Sequence, residues 1–103
     1  MSSVYSLDVT NEGGKRQLTF SGDLIINHID KMAAEVKEAI QSPSDTVVVV
    51  SDPSNIDMTF IQLLLAIRRQ TTEGGKAFEV KSTIKDDLKE LIQKSGLDKA
   101  LGL

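Results

Sequence analysis

The residues Val47 to Val50 are apolar and β-branched at every position. Branching at Cβ stiffens a side chain and suits an extended backbone, and an unbroken apolar run reads as a central strand covered on both faces. The rest of the chain must be arranged around that strand. At 103 residues it fits one compact domain, 1–103, with no room for two separate cores.

Upstream, Tyr5, Leu7 and Val9 alternate with Ser6, Asp8 and Thr10, the period of a half-buried strand. The turn Asn11-Glu12-Gly13-Gly14 follows, and Leu18 and Phe20 alternate again beyond it, so the first two strands read as an antiparallel hairpin. Gly22-Asp23 breaks the second strand, and Asn27 serves as N-cap for the next element. Ile29, Met32, Ala33, Val36 and Ile40 recur at helical spacing until Ser42-Pro43.

After the valines, Phe60, Leu63, Leu64 and Ile67 mark a second helix that ends at Gly74-Gly75. Lys76 to Lys81 reads as a fourth strand with Phe78 and Val80 on one face. Ile84, Leu88, Leu91 and Ile92 then make the stripe of a third helix, with Thr83 and Asp86 as a capping pair, Gly96 past its end and a closing turn from Leu97 to Leu103. The order is ββαβαβα. Strand–helix–strand units of this length imply parallel pairing of the last three strands on a mixed, mostly parallel four-stranded sheet packed with helices, an α/β fold.

The composition removes several classes of function. Net charge is −3, the basic residues are scattered, and no surface for nucleic acid is expected. There are no cysteines, so disulfides, thiolate metal sites and cysteine nucleophiles are excluded. MSSVYSLDVT has no signal-peptide pattern, and no apolar run approaches the roughly 20 residues that span a bilayer. A cytoplasmic location without membrane insertion is the expectation.

Catalytic constellations are equally scarce. His28 is the sole histidine and lies beside the expected cap Asn27, where a loop or cap role accounts for it. The glycine pairs lack the spacing of a dinucleotide fingerprint or phosphate loop, and Asp86 and Asp87 oppose a helix dipole. Asp52 follows the valine strand as the phosphorylated aspartate of a receiver domain does, but the acidic pair such a site needs after the first strand is missing. No catalytic residue, metal or cofactor is expected.

The loop Asp52 to Thr59 retains one candidate. Thr59 with Gln62 fits a capping box, and Asp57 competes as N-cap, so a structural role suffices for either. Within the second helix Ile61 and Leu65 lie off the inward stripe. Either the helix is deeply buried, or they form an apolar strip for a partner or for self-association as a homodimer.

The order ββαβαβα, the step Gly22-Asp23-Leu24, the helix opening at Asp57 and the tail LKELIQKSGL from Leu88 to Leu97 resemble the STAS domain, named for sulfate transporters and anti-sigma factor antagonists. The resemblance runs from about Val4 to Leu101. The antagonists carry Asp-Ser-Ser-Gly at the start of the second helix and are phosphorylated on the second Ser. The matching residues are Asp57, Met58, Thr59 and Phe60, so a hydroxyl is kept at the phosphoacceptor position while Met replaces Ser and Phe replaces Gly.

The resemblance implies a non-catalytic regulatory module that binds a switch kinase or anti-sigma factor, modified at Thr59 by an external kinase. Asp23, Asn27, Asp57, Met58, Thr59 and Phe60 would form the docking surface. A Phe in place of Gly would crowd a kinase or enlarge that surface. Two other roles in the same family fit the pattern: an unphosphorylated adaptor of a chemotaxis cluster, and a structural accessory subunit of a lipid-transport complex.

Overall fold

The structure is a computed structural model that describes residues 4–83 together with Glu90 and Gln93. Strands β1 (Tyr5–Glu12) and β2 (Lys15–Leu24) form the expected hairpin, in antiparallel register from Tyr5 opposite Gly22 to Glu12 opposite Lys15. A single 3-10 turn, Ile26–His28, leads into helix α1 (Ile29–Ala39). Strand β3 (Asp45–Ser51), a two-residue strand β4 (Asn55–Ile56), helix α2 (Met58–Glu73) and strand β5 (Phe78–Thr83) follow. The expected third helix around Leu88 and Leu91 lies outside the described residues apart from Glu90 and Gln93, both helical, as do Asp86, Gly96 and the closing turn.

The sheet runs β1-β2-β3-β5, with β2, β3 and β5 parallel and β1 antiparallel at one edge. It is the mixed, mostly parallel α/β sheet read from the sequence, with β4 added as a short parallel rung against Asp23 and Leu24 at the end of β2. Leu18 and Phe20 of β2, Val48 and Val50 of β3, Met32 and Val36 of α1, and Phe60, Ile61, Leu64 and Ile67 of α2 share one core. Phe20 and Phe60 meet edge to face, centroids 5.1 Å apart.

The valine run is covered more fully on one face than on the other. Val48 and Val50 are sealed against the helices, while Val49 is only half-buried. In register, Val49 lies between Thr19 and Lys81, and Val47 between Gln17 and Glu79. These polar neighbours give the second face a mixed character that periodicity in β3 alone does not reveal.

Two local expectations change. Gly22-Asp23 does not break β2, which continues through both residues to Leu24 because Gly22 takes φ +83°. A side chain there would meet the backbone: a Cβ on Gly22 would lie 2.4 Å from the Val4 carbonyl oxygen. Asn27 is not a helix cap; it sits inside the 3-10 turn, and His28 precedes α1 with no side-chain capping bond.

Candidate functional site

At the carboxyl end of the parallel strands the chain leaves β3, turns through Asp52 with φ +42°, and is stitched back onto β2 before α2 begins. Ser54 N–H donates to Gly22 carbonyl at 2.9 Å, and Asp57 N–H to Leu24 carbonyl at 3.2 Å. Ile56 and Pro53 are buried, so apolar anchors fix a polar loop in place. Two chain segments, 22–28 and 52–60, thereby form one surface.

Asp57 organises it. Its extended backbone makes it the N-cap of α2, and Oδ1 accepts from the Thr59 N–H at 2.9 Å. The Thr59 hydroxyl donates to the same Oδ1. The other oxygen, Oδ2, accepts from the Ile26 N–H at 2.8 Å, across 31 residues of chain. Burial opposes ionisation of this carboxyl, but the Thr59 hydroxyl and the N–H groups of Ile26, Thr59 and Phe60 outweigh it, and its pKa falls below the ordinary aspartate value.

The capping box centred on Thr59 is therefore replaced. Asp57 caps the helix, and Thr59 occupies its second residue, where its hydroxyl supports the cap rather than supplying it.

The six surface residues expected from the sequence divide into two groups. Asn27 and Met58 are exposed, Met58 by 50%, and Asp57 and Thr59 are half-buried. Phe60 is 0% exposed and packs on Phe20, so it neither crowds an approaching kinase nor enlarges a docking surface. Asp23 is 4% exposed and accepts from Asn55 Nδ2 at 2.9 Å, which ties β4 to β2. These two residues build the site from behind. Ile61, at 2% exposure, belongs to the core and Leu65 is half-buried, so Ile61 and Leu65 do not form an open strip.

One surface residue was missed. Ile26 is 62% exposed and hydrogen-bonded through its backbone to Asp57, which places a second large apolar side chain on the loop facing the helix start. The signal lay in Ile25-Ile26, two adjacent apolar residues leaving a strand, of which a strand-like alternation can turn only one inward.

Two clefts away from this surface also carry ionisable side chains. An open groove between β1 and α1 is lined by Tyr5, Leu7, His28, Lys31 and Glu35; there the Tyr5 hydroxyl donates to Glu35 and its ring lies 5.6 Å from that of His28. Burial, with the Glu35 bond and charge, pushes the Tyr5 hydroxyl up to about 12. At the opposite end of the sheet a cavity of about 70 Å³ is lined by Arg16, Ser42, Gln70 and Gly74. Arg16 is 3% exposed, donates to the Ser42 carbonyl, and its Nε has no hydrogen-bond partner among the described residues. Residues at or just past the ends of α1 and α2 line the same cavity, and the Ser42 carbonyl ties the guanidinium to the segment after α1, so a structural staple is a sufficient account.

Against this geometry stands one decisive likeness. A family model described as "Mlab, STAS domain" matches residues 7–103. The chain belongs to the STAS domain family. No curated protein matches it in sequence. STAS domains are in general non-catalytic and act through protein–protein contacts, and membership accounts for a regulatory module like the anti-sigma factor antagonists. Among the described residues no helix is long and apolar enough to cross a membrane, and no group of three or more His, Cys, Asp or Glu is placed to hold a metal.

Proposed function

We propose that this STAS domain is a regulatory protein-binding module in the cytoplasm, without catalysis of its own. It docks a protein partner through the surface formed by Ile26, Asn27, Asp57, Met58 and Thr59, and phosphorylation of Thr59 controls that docking. By analogy with the family's antagonists, the partner is a switch kinase or an anti-sigma factor. The observation that carries the reading is the placement of Thr59: a hydroxyl at the N-terminus of α2, half-buried, beside the exposed side chain of Met58 and the loop bearing Ile26.

The physics of control follows from that placement. A helix start offers unpaired N–H groups and partial positive charge, so it tolerates phosphate without unfolding. The modification adds about −1.5 to −2 charges. Pressing that charge against an apolar partner surface that meets Ile26 and Met58 opposes binding, because an unpaired charge is costly to desolvate. Phosphorylation then acts as a release signal.

A second reading draws on the bond between Thr59 and Asp57. That bond gives Thr59 a structural task that requires no modification, as in a chemotaxis-cluster adaptor or an accessory subunit of a lipid-transport complex with a permanent interface. Affinity capture from native lysate with wild type and Thr59→Glu, partners being identified by mass, separates the two. A kinase lost selectively by the Glu variant supports the switch. A transporter subunit held equally by both supports the permanent interface and overturns it.

A further inference from the structure

We propose that Asp57 couples the state of Thr59 to the loop before α1, as a latch that phosphorylation opens; this rests on Thr59 being the modified residue. The two oxygens of one carboxylate hold two separate parts of the chain. Oδ1 takes the N–H and the hydroxyl of Thr59, and Oδ2 takes the N–H of Ile26. Ile26 and Asn27 are exposed, so the position of this part of the docking surface depends on an acceptor carried by the helix start.

The latch stays closed while Thr59 presents no charge to Asp57, its N–H alone being enough to hold Oδ1. In transfer from a nucleoside triphosphate held by a separate kinase, the Oγ1–phosphorus bond forms as the bond from the terminal phosphorus to its bridging oxygen breaks. The nucleoside diphosphate leaves, and the hydroxyl proton passes to a base of the kinase. Oγ1 then has no hydrogen, and a charged acceptor group stands against a charged acceptor. Phosphate oxygens compete for the N–H groups at the start of α2, as anions do at helix N-termini. The Asp57 carboxylate, repelled and displaced, swings from the Ile26 N–H and frees the loop. The partner thereby meets a new charge at Thr59 and also loses the fixed position of Ile26 and Asn27.

The test uses the full chain without any partner. Amide hydrogen exchange at Ile26 is followed by NMR in wild type, Asp57→Asn, Thr59→Val and Thr59→Glu, with the amides of Val48 and Val50 as a control for global folding. Asparagine caps a helix as well as aspartate but presents a single acceptor oxygen, so Asp57→Asn speeds Ile26 exchange by roughly tenfold, the loss of about one hydrogen bond. Thr59→Glu brings charge to the same place and does likewise. Thr59→Val keeps the Thr59-position N–H on Oδ1 and leaves Ile26 at the wild-type rate.

Unchanged exchange in Asp57→Asn shows that no latch exists. Fast exchange in Asp57→Asn with a wild-type rate in Thr59→Glu shows that charge at Thr59 does not open it. Either result overturns the proposal. A failure of any kinase to modify Thr59 would instead sink the phosphorylation reading while leaving these rates as they are, so the two claims fail separately.

Discussion

At Gly22 a single methyl group would collide with the backbone at the start of β1, since an added Cβ would overlap the Val4 carbonyl oxygen and crowd Tyr5 Cα, and φ is +83°. Gly22→Ala is expected to destabilise the domain by about 2–4 kcal/mol in urea denaturation, combining the unfavourable φ with separation of the strands. Asp57 gives a pH dependence instead. Its folded pKa lies below the unfolded value, so its stabilisation is present above about pH 4 and is lost as pH falls through the folded value. Thermal melts should therefore show the wild-type advantage over Asp57→Ala narrowing on acidification. Tyr5 has the opposite sign: its pKa is raised to about 12, so its contribution is complete below about pH 10 and fades as pH rises toward 12. The stability difference between wild type and Tyr5→Phe should shrink across that interval.

Among the elements, α2 does two jobs with one N-terminal turn. Phe60 points into the core against Phe20 while Met58 and Thr59, its neighbours, face outward or to the rim. Phe60→Ala is expected to cost about 3–5 kcal/mol, the range for a buried aromatic, with a matching loss in the urea midpoint. The helix pattern in the sequence identified α2 and its inward stripe, because three- and four-residue spacing is a property of the chain itself. It left Ile61 open between a deeply buried helix and an outward strip, and at 2% exposure Ile61 is buried, sealed by tertiary packing rather than by a place in the stripe. The end of β2 was misread for a related reason. Gly22-Asp23 looks like a break, yet Gly22 bends the strand without ending it, and pairing with β4 becomes possible only once the loop from β3 returns. Asp57 and Thr59 were legible as residues of interest from their types and position. The bond from Ile26 to Asp57 was not, because no local pattern connects residues separated by 31 positions.

Over the whole molecule, the sheet and helices form a scaffold, and the proposed docking surface is where two loops converge at one end. Membership of the STAS domain family fits that division, since binding residues concentrate on loops held by a rigid scaffold. Met58→Asp should leave the unfolding free energy within about 0.5 kcal/mol of wild type, since the side chain is exposed and an acid is tolerated in a helix's first turn. The same substitution should weaken partner binding. The most direct test of the central claim is a calorimetric titration of the captured partner against wild type, Thr59→Val and Thr59→Glu. The account predicts that Thr59→Val binds within about threefold of wild type and Thr59→Glu at least about tenfold more weakly, a loss of roughly 1.4 kcal/mol. Equal affinity of Thr59→Glu and wild type would contradict it.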